Sequence, residues 1–331
     1  MPRPRVFVTR RMAQESIDLL RTEVDVEVWP DDHAPPRDVL LQRAGECAAL
    51  LTTVEDRIDE AVLAAGHGAL KVVANCAVGI DNFDIKAATR LGVAMYNTPD
   101  VLTKTTADLA FALILATARQ VVQGDRDVRE GRWKNWHPFA YTGPDVHGAT
   151  LAVIGLGQIG MEVARRAMGF EMTVLYYNPT RRPEAEQLYG LTFSSDIPSA
   201  LRDADFVSLH APLTPDTRHM MGRDYLKLMK PTAILVNTAR GAIVDPQALY
   251  EALRDGVIAG AGLDVTEPEP IPPDHPLLTL PNVVITPHIG SASLQTRREM
   301  ALLAARNILA ALKGREMPTC VNPEVLEKPR G

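Results

Sequence analysis

The apolar positions of the chain fall into two successive series of strand and helix patterns. The first series covers about residues 4–97, and its strand candidates are RVFVT, VDVEVW, AALLTT, KVVANC and VAMYN. Helical patterns such as MAQESIDLLRTE and DIKAATRLG lie between them. Apolar strands that alternate with helices are typical of a parallel sheet covered on both faces. This series therefore predicts an α/β domain, and it contains no glycine signature for phosphate binding.

The second series covers about residues 99–290 and opens with a long apolar helix near residues 103–119. Its strand candidates are TLAVIG, MTVLYY, DFVSLH, AILVNT, IAGAGLDV and NVVITP. The later segment QTRREMALLAARNILAALKG predicts an amphipathic helix whose apolar face needs burial. We expect it to pack on the first domain. The pattern thus predicts a discontinuous domain of residues 1–98 and 292–331 and a second domain of residues 99–291.

Composition narrows the classes of partner. The net charge is −6 and no long block of like charge occurs, so nucleic acid and membrane surfaces are disfavoured as partners. The three cysteines, Cys47, Cys76 and Cys320, form no CxxC pair, which favours reduced thiols in a cytoplasmic protein. The apolar run ADLAFALILATA is too short to cross a bilayer, and no signal peptide is visible. The histidines show no metal-binding spacing, so no metal is expected.

The segment GLGQIG lies between the apolar run TLAVI and a helical pattern. Gly155 permits a tight turn, Gly157 lets a pyrophosphate approach the backbone, and Gly160 permits close packing of helix on strand. The helix N-terminus offers free N–H groups to phosphates. In this context the motif predicts a dinucleotide-binding, Rossmann-type doubly wound sheet.

The residues after the next strand indicate which dinucleotide is bound. NAD-binding sheets usually carry an acidic residue there, which bonds the ribose 2′-hydroxyl and repels a 2′-phosphate. This chain has Asn178 instead, followed by Thr180, Arg181 and Arg182. Two arginines can bind a doubly charged phosphate, although two solvated surface arginines are the alternative. We expect NADP(H) to be preferred, with NAD(H) possible.

Polar residues follow three strand candidates of the second series. Arg240 follows AILVNT, Asp264 ends GAGLDV, and His288 follows NVVITP. Ligands of open parallel sheets bind beyond the carboxyl ends of the strands. An arginine can grip a 2-keto acid carboxylate, and a histidine can protonate the alkoxide that hydride transfer creates. A carboxylate hydrogen-bonded to His288 would favour the imidazolium, and the local pattern leaves Glu267 and Glu269 open for that role.

The segments NTARGAIVD, GLDVTEPEPIPPDHPLLTLPNVVITPHIGSAS and AVGIDNFD resemble the D-isomer-specific 2-hydroxyacid dehydrogenase family, and most of all its glyoxylate/hydroxypyruvate reductase branch. The resemblance covers nearly the whole chain. It implies a flavodoxin-like substrate domain and a Rossmann-type cofactor domain, with the active site in the cleft between them. It also implies that Arg240 binds substrate, that His288 is the acid/base, and that Glu269 rather than Glu267 is its partner.

The resemblance assigns further residues. The backbone N–H groups of Val78 and Gly79 would bind the substrate carboxylate, and Asp264 and Thr238 would hold the nicotinamide end. Reductases similar to this chain are homodimers in which the residue at the position of Trp136 reaches the partner's active site; the alternative is an aromatic residue that anchors a surface connection. The whole expected cofactor set is Thr106, Gly155, Gly157, Gln158, Ile159, Gly160, Asn178, Thr180, Arg181, Arg182, His210, Ala211, Pro212, Thr217, Thr238, Ala239, Arg240, Asp264, His288 and Gly290.

The sequence therefore predicts an NADPH-dependent enzyme that reduces glyoxylate or hydroxypyruvate to glycolate or D-glycerate. Another D-2-hydroxyacid dehydrogenase, acting on D-lactate or 3-phosphoglycerate, is one alternative. Formate is disfavoured because its enzymes in this superfamily carry Gln where Glu269 stands. A nucleotide-sensing protein similar to the corepressors that share this fold is the alternative from a different class.

Overall fold

The structure, a computed structural model, describes residues 2–315 and 317–327. The chain divides into two compact units, which we call unit 1 (residues 1–102 and 292–331) and unit 2 (Thr103–Ser291). The boundary lies between Leu102 and Thr103, where the sequence predicts 98 and 99. Each unit contains one parallel sheet, which confirms the predicted two-domain α/β class.

Unit 1 contains a five-stranded sheet in the order β2-β1-β3-β4-β5, which is the flavodoxin-like order. Its strands are β1 (Arg5–Val8), β2 (Asp25–Val28), β3 (Ala49–Thr52), β4 (Val72–Asn75) and β5 (Ala94–Tyr96). Its helices are α1 (Gln14–Arg21), α2 (Arg37–Glu46), α3 (Glu60–Ala65), α4 (Ile85–Leu91) and α12 (Leu294–Leu312). The last of these is the amphipathic helix of the sequence analysis, and it belongs to the first unit.

Both faces of the unit 1 sheet are buried, because successive strand residues point to opposite sides. In β1, Val6 and Val8 face one core, which α1 and α12 complete. Phe7 faces the other core, which α2, α3 and α4 complete. Ala304 and Ala305 of α12 supply small side chains to this core, so the helix lies close to the sheet.

Unit 2 contains a seven-stranded parallel sheet in the order β12-β11-β10-β9-β6-β7-β8. Its strands are β6 (Thr150–Ile154), β7 (Thr173–Tyr177), β8 (Thr192–Phe193), β9 (Phe206–Leu209), β10 (Ile234–Asn237), β11 (Gly260–Leu263) and β12 (Val283–Ile285). The first six unit 2 strands, β6 to β11, follow the Rossmann order, and β12 extends it at one edge. The direction of the strand order reverses beside β6, so ligands are expected at the end of that strand.

The α-helices of unit 2 are α5 (Thr103–Ala118), α6 (Val121–Arg129), α7 (Gln158–Met168), α8 (Pro183–Tyr189), α9 (Ile197–Asp203), α10 (Arg223–Leu226) and α11 (Pro246–Arg254). The core between the sheet and α5 and α7 includes Val153, Tyr176 and Val236. The opposite core, with α9 and α11, includes Ile154, Leu209 and Leu263.

Two glycines in β11 let α5 lie directly on the sheet. A Cβ on Gly260 would lie 3.0 Å from Cγ2 of Thr117, and a Cβ on Gly262 would lie 3.0 Å from Cβ of Leu113. The strand therefore needs residues without side chains where the helix crosses it.

No single described helix is long and apolar enough to cross a membrane. The adjoining helices Thr103–Ala118 and Val121–Arg129 pass that test only as a pair, and they are bent by 63° at their junction. Many of the α5 side chains lie buried in unit 2, as expected of a core helix.

Candidate active site

The glycine turn joins β6 to α7, and its three glycines differ in what surrounds them. Gly155 has φ +100°, and a Cβ there would lie 2.7 Å from the backbone N of Ala211. A Cβ on Gly160 would lie 2.1 Å from the carbonyl oxygen of Gly155. At Gly157, nothing lies within 4 Å of the position of a Cβ. The turn is thus closed against the protein on two sides and open at Gly157.

The open glycine is also the N-cap of α7, which begins at Gln158 and has no side-chain cap. Helix N-termini leave backbone N–H groups without partners. Gln158 and Ile159 occupy this first turn, and the Gln158 side chain accepts a hydrogen bond from the Thr103 hydroxyl at 3.2 Å. An open glycine beside an uncapped helix N-terminus fits a pyrophosphate.

The segment His210–Pro212 follows β9 and lies against the glycine turn. Burial lowers the pKa of His210 to about 4, so its ring is neutral at pH 7. Its Nε2 atom lies 2.8 Å from the hydroxyl of Ser208. Thr217 donates its hydroxyl hydrogen to the Pro212 carbonyl at 2.7 Å, which closes the loop after this segment.

Asn178 connects the glycine turn to the turn after β7. Its side-chain oxygen accepts from the backbone N–H of Leu156 at 3.1 Å, and its amide donates to the carbonyl of Thr180 at 2.7 Å. Arg182 donates its backbone N–H to the Tyr176 hydroxyl at 2.7 Å. The Arg182 side chain is exposed and hydrogen-bonds to no side chain among the described residues.

Arg181 differs from the sequence-based expectation because it already has a carboxylate partner. Its Nε and Nη2 atoms donate to Glu186 at 2.8 and 2.7 Å. Its guanidinium carbon lies 5.5 Å from the ring centre of Phe193. Hydrogen bonds from Arg181 and from the Tyr176 hydroxyl lower the pKa of Glu186 to about 2. Glu186 lies in the first turn of α8, which the short sequence motif did not include.

Thr238 and Ala239 follow β10, at the same sheet edge as the glycine turn. The Ala239 backbone N–H donates to the Asn237 side chain at 3.0 Å. The Thr238 hydroxyl is buried and has no hydrogen-bond partner among the described residues. A buried hydroxyl without a protein partner fits a site that a ligand completes.

Asp264 holds the loop after β12. Its Oδ1 atom accepts from the hydroxyl of Thr286 at 2.7 Å and from the N–H of Ile289 at 2.8 Å. Its Oδ2 atom accepts from the N–H of Gly290 at 2.8 Å. A Cβ on Gly290 would lie 3.2 Å from Oδ2 and 3.3 Å from Cγ2 of Thr106. Thr106, Asp264 and Gly290 are therefore brought together, as expected for one binding region.

Arg240, Glu269 and His288 follow β10, β11 and β12, which are neighbours in the sheet. His288 Nδ1 lies 2.5 Å from Glu269 Oε1. Arg240 donates from Nη1 to the Ala239 carbonyl at 2.8 Å. His288 has φ +54°, and its N–H donates to the Asp264 carbonyl at 2.9 Å, so the backbone fixes the ring beside Glu269.

The carboxyl of Glu269 is held in its charged form. Burial raises its pKa, but the hydrogen bond and charge of His288, the N–H of Thr266 and the charge of Arg240 together lower it below the ordinary value. A carboxylate only accepts hydrogen bonds, so His288 donates from Nδ1 and directs Nε2 elsewhere. The side chains are 34% and 39% exposed, so the pair remains accessible to a ligand.

Glu267, the other carboxylate that the local pattern allowed, has different partners. Its Oε1 accepts from Arg218 Nη1 at 2.6 Å, and its Oε2 accepts a hydrogen bond from His219 Nε2. The pair Glu269–His288 is therefore separate from the pair Glu267–His219.

Val78 and Gly79 lie in unit 1 and are described within it. The Asn97 side chain donates to the Val78 carbonyl at 2.8 Å, and the Asn75 side chain donates to the Gly79 carbonyl at 3.0 Å. Both carbonyls are thus occupied by side-chain amides. The structure shows no acceptor for either backbone N–H among the described residues.

The segment after α6 presents aromatic side chains to solvent. Trp133, Trp136 and Phe139 are 57%, 77% and 80% exposed. Asp127 in α6 anchors both ends of this segment, because it accepts from Arg132 Nε at 2.7 Å and from the Tyr141 hydroxyl at 2.7 Å. The sequence analysis did not identify this anchor, since its members are ordinary surface residue types spaced over 15 residues from Asp127 to Tyr141.

Among the described residues, no group of three or more His, Cys, Asp or Glu side chains could hold a metal ion. All three cysteines are unpaired, and burial raises the pKa of Cys76 to about 12.

Comparison with known proteins shows the family to which this chain belongs. The family model described as D-isomer specific 2-hydroxyacid dehydrogenase, NAD binding domain, matches residues 111–290. A glyoxylate reductase of Korarchaeum cryptofilum is 50% identical over 326 residues, which cover 98% of each chain. A crystal structure of a protein from Thermus thermophilus has a TM-score of 0.89 and 49% identity, and covers 96% of this chain and 99% of that one.

A further solved structure is the NADPH-dependent glyoxylate/hydroxypyruvate reductase of Sinorhizobium meliloti in complex with NADP and malonate. It is similar to this chain with a TM-score of 0.85 and 32% identity over 99% of both chains. These likenesses extend over nearly the whole length and include the nucleotide-binding unit. The chain belongs to the D-isomer specific 2-hydroxyacid dehydrogenase family and is an NAD(P)-dependent dehydrogenase.

Proposed function

We propose that this dehydrogenase reduces glyoxylate and hydroxypyruvate to glycolate and D-glycerate, with NADPH as the preferred reductant. The observation that carries the proposal is the Glu269–His288 hydrogen bond of 2.5 Å. These two residues follow β11 and β12, and Arg240 follows the neighbouring strand β10. Relatives that are about half identical over nearly their whole length are named glyoxylate reductases.

The three side chains have distinct roles in this proposal. Arg240 binds the substrate carboxylate and polarises the carbonyl group. A reduced nicotinamide, when bound, supplies the hydride that reaches the carbonyl carbon. His288 then gives a proton from Nε2 to the alkoxide oxygen, and Glu269 stabilises the imidazolium that exists before this transfer. Val78 and Gly79 offer backbone N–H groups to the same carboxylate.

The preference for NADPH rests on the turn after β7. Asn178 places no negative charge beside the ribose, and the exposed Arg182 side chain can bind a 2′-phosphate. Arg181 contributes less, because Glu186 already binds the Nε and Nη2 atoms of its guanidinium. The cofactor preference is thus assigned mainly to Arg182.

Initial rates separate this function from its alternatives. Glyoxylate, hydroxypyruvate, pyruvate and 3-phosphohydroxypyruvate are each reduced with NADPH and with NADH. We expect kcat/KM to be highest for glyoxylate and hydroxypyruvate with NADPH. Faster turnover of pyruvate would instead assign a D-lactate dehydrogenase, and nucleotide binding with no turnover of any keto acid would favour a nucleotide sensor.

A second measurement isolates the cofactor assignment. Arg182→Ala is expected to raise KM for NADPH about tenfold or more and to leave KM for NADH nearly unchanged, because only NADPH carries the phosphate. Arg202→Ala, which removes an exposed arginine from the last turn of α9, is the matched control. Equal effects of Arg182→Ala on both cofactors would contradict the assignment.

We also propose that the enzyme is a homodimer in which the exposed aromatic segment, with Trp136, meets the partner subunit. Its three large apolar side chains, each more than half exposed, support this interface. The three unpaired thiols support a cytoplasmic location.

A further inference from the structure

Three backbone segments of unit 2 meet beside the proposed catalytic side chains. The first is residues 218–221, which precede α10. The second, residues 240–245, follows β10 and carries Arg240. The third, residues 264–270, follows β11 and carries Glu269. Each pair of these segments is joined by a different kind of contact.

The first and second segments are joined by backbone hydrogen bonds. His219 donates its N–H to the Ala242 carbonyl at 2.8 Å, and Met221 donates to the Ile243 carbonyl at 3.0 Å. Asp245 returns a hydrogen bond to the Met221 carbonyl at 3.2 Å. The segment after Arg240 is therefore fixed to the segment that contains His219.

The second and third segments are joined by close packing. A Cβ on Gly241 would lie 2.0 Å from the carbonyl oxygen of Thr266 and 2.1 Å from its carbonyl carbon. Only a residue without a side chain fits there. The backbone next to Arg240 thus touches the backbone three residues before Glu269.

The third and first segments are joined by side-chain hydrogen bonds. Among the described residues, Glu267 is the one that makes them. Its carboxylate accepts from Arg218 and His219, and these side chains are partly exposed. Burial opposes the charge on Glu267, but the hydrogen bonds from His219 and Arg218 outweigh it and lower its pKa below the ordinary value. With this ion pair, each of the three segments is in contact with both of the others.

We propose that Glu267 is a positioning residue, which through Arg218 and His219 holds the 264–270 loop in register with the turn that carries Arg240. The proposal rests on the proposed function, since it assumes that Arg240 and the Glu269–His288 pair act on one substrate. Loss of the Glu267 ion pair leaves the Gly241–Thr266 contact as a pivot. The Glu269 carboxylate then shifts relative to both His288 and Arg240.

The test compares Glu267→Ala and Glu267→Gln in the full-length protein, with glyoxylate and NADPH. A displacement of about 1 Å at a catalytic group can reduce the rate by about 100-fold. We therefore expect Glu267→Ala to lower kcat at least about tenfold and to leave KM for NADPH nearly unchanged. The alkaline limb of its kcat–pH profile is expected to move to lower pH, because His288 loses part of its stabilising partner.

Glu267→Gln keeps the shape and one accepting oxygen for Arg218 and His219, so we expect it to recover most of the lost kcat and the wild-type pH profile. Glu251→Ala is the matched control, because Glu251 is similarly buried and also accepts from an arginine, Arg223, in the same unit. We expect this control to have wild-type kinetics.

The inference is overturned if Glu267→Ala lowers Tm but keeps wild-type kcat and pH profile, which is the result of a purely structural ion pair. If Glu267→Ala does not fold, His219→Ala, which removes one of the two donors to Glu267, decides by the same measurements. Failure of the proposed function is distinct, since the wild-type enzyme would then not reduce glyoxylate at all.

Discussion

Glu186 binds Arg181 and the hydroxyl of Tyr176, and its folded-state pKa of about 2 lies below the ordinary 4.5. A carboxyl with a depressed folded pKa stabilises the fold above its unfolded pKa, and this stability is lost as pH falls through the folded value. For Glu186 the loss occurs between about pH 4.5 and pH 2.

Glu186→Gln is therefore expected to lower Tm at pH 7 and to show a shrinking difference from wild type as pH falls toward about 2. Thermal melts of both proteins at several pH values measure this. Glu184→Gln, a change at an exposed position of the same helix, should show no such trend. A difference in Tm that is as large at about pH 2 as at pH 7 would rule out the assigned ion pair.

The proton transfer also has a residue-scale test. His288→Asn is expected to lower kcat by about 10²–10⁴-fold, because the positioned proton donor is lost. Glu269→Gln should reduce kcat less and move the alkaline limb of the kcat–pH profile to lower pH, since the imidazolium loses its anionic partner. An unshifted profile for Glu269→Gln would remove Glu269 from this role.

The positions of several site residues in the fold could be predicted from the sequence. The glycine turn and the strand-end positions of Arg240, Asp264 and His288 follow from local patterns, because in a parallel sheet an apolar run marks a buried strand and the polar residue after it marks the strand end. The choice between Glu267 and Glu269 does not follow, because both lie in one loop and their partners are remote along the chain. The pairing of Arg181 was missed for a similar reason, since Glu186 belongs to the next helix.

At the scale of elements, α5 contains a hydroxyl group that lowers the stability of the fold, at the point where the helix crosses β11. The Thr117 hydroxyl is buried and has no hydrogen-bond partner among the described residues. Thr117→Val replaces it with a methyl group of similar shape, so we expect stabilisation by about 1 kcal/mol. Urea unfolding measures this.

Thr117→Ser is the informative counterpart, because it keeps the hydroxyl and removes the Cγ2 methyl that packs at Gly260. We expect this variant to be less stable than wild type. If Thr117→Val were the less stable of the two, an unobserved partner of the hydroxyl would be indicated.

The loop that follows β4 gives a second element-scale prediction. Asn75 is fully buried and donates to the Gly79 carbonyl at 3.0 Å. Asn75→Asp removes this donor, and the loop loses the orientation of its N–H groups. We expect KM for the keto acid to rise about tenfold with little change in KM for NADPH.

The Asn97 side chain is half-buried and donates to the Val78 carbonyl, so Asn97→Asp should also raise KM for the keto acid. This second variant allows the test to be made if Asn75→Asp does not fold. If the two changes lower kcat alone and leave KM for the keto acid unchanged, the proposed carboxylate role of this loop is wrong.

Element boundaries were predicted to within a few residues for the long strands, because their apolar runs end at polar residues. Two features escaped the pattern. The strand β8 has only two residues and too little periodicity to detect. Helix α7 begins at Gln158, although the glycine that follows two residues later disfavours a helix, because contacts with the sheet outweigh that propensity.

At the scale of the whole molecule, the exposed aromatic segment predicts self-association. Trp136→Ala is expected to weaken the dimer and to change the ratio of kcat/KM for glyoxylate and hydroxypyruvate. Sedimentation at several protein concentrations, with Leu188→Ala as a control at an exposed apolar position in α8, measures the first effect. A wild-type protein that sediments as a monomer at all concentrations would contradict the proposed interface.

Helix α12 follows unit 2 along the chain, yet it covers one face of the sheet that the first hundred residues form. During synthesis that face is covered only in part, by α1, until the ribosome has released α12. Unit 2 is continuous and complete by Ser291, so we expect unit 2 to become protease-resistant on the ribosome before unit 1 does. Nascent chains stalled just beyond unit 2 would show this order directly, and the unfinished unit 1 would be the natural target for chaperones.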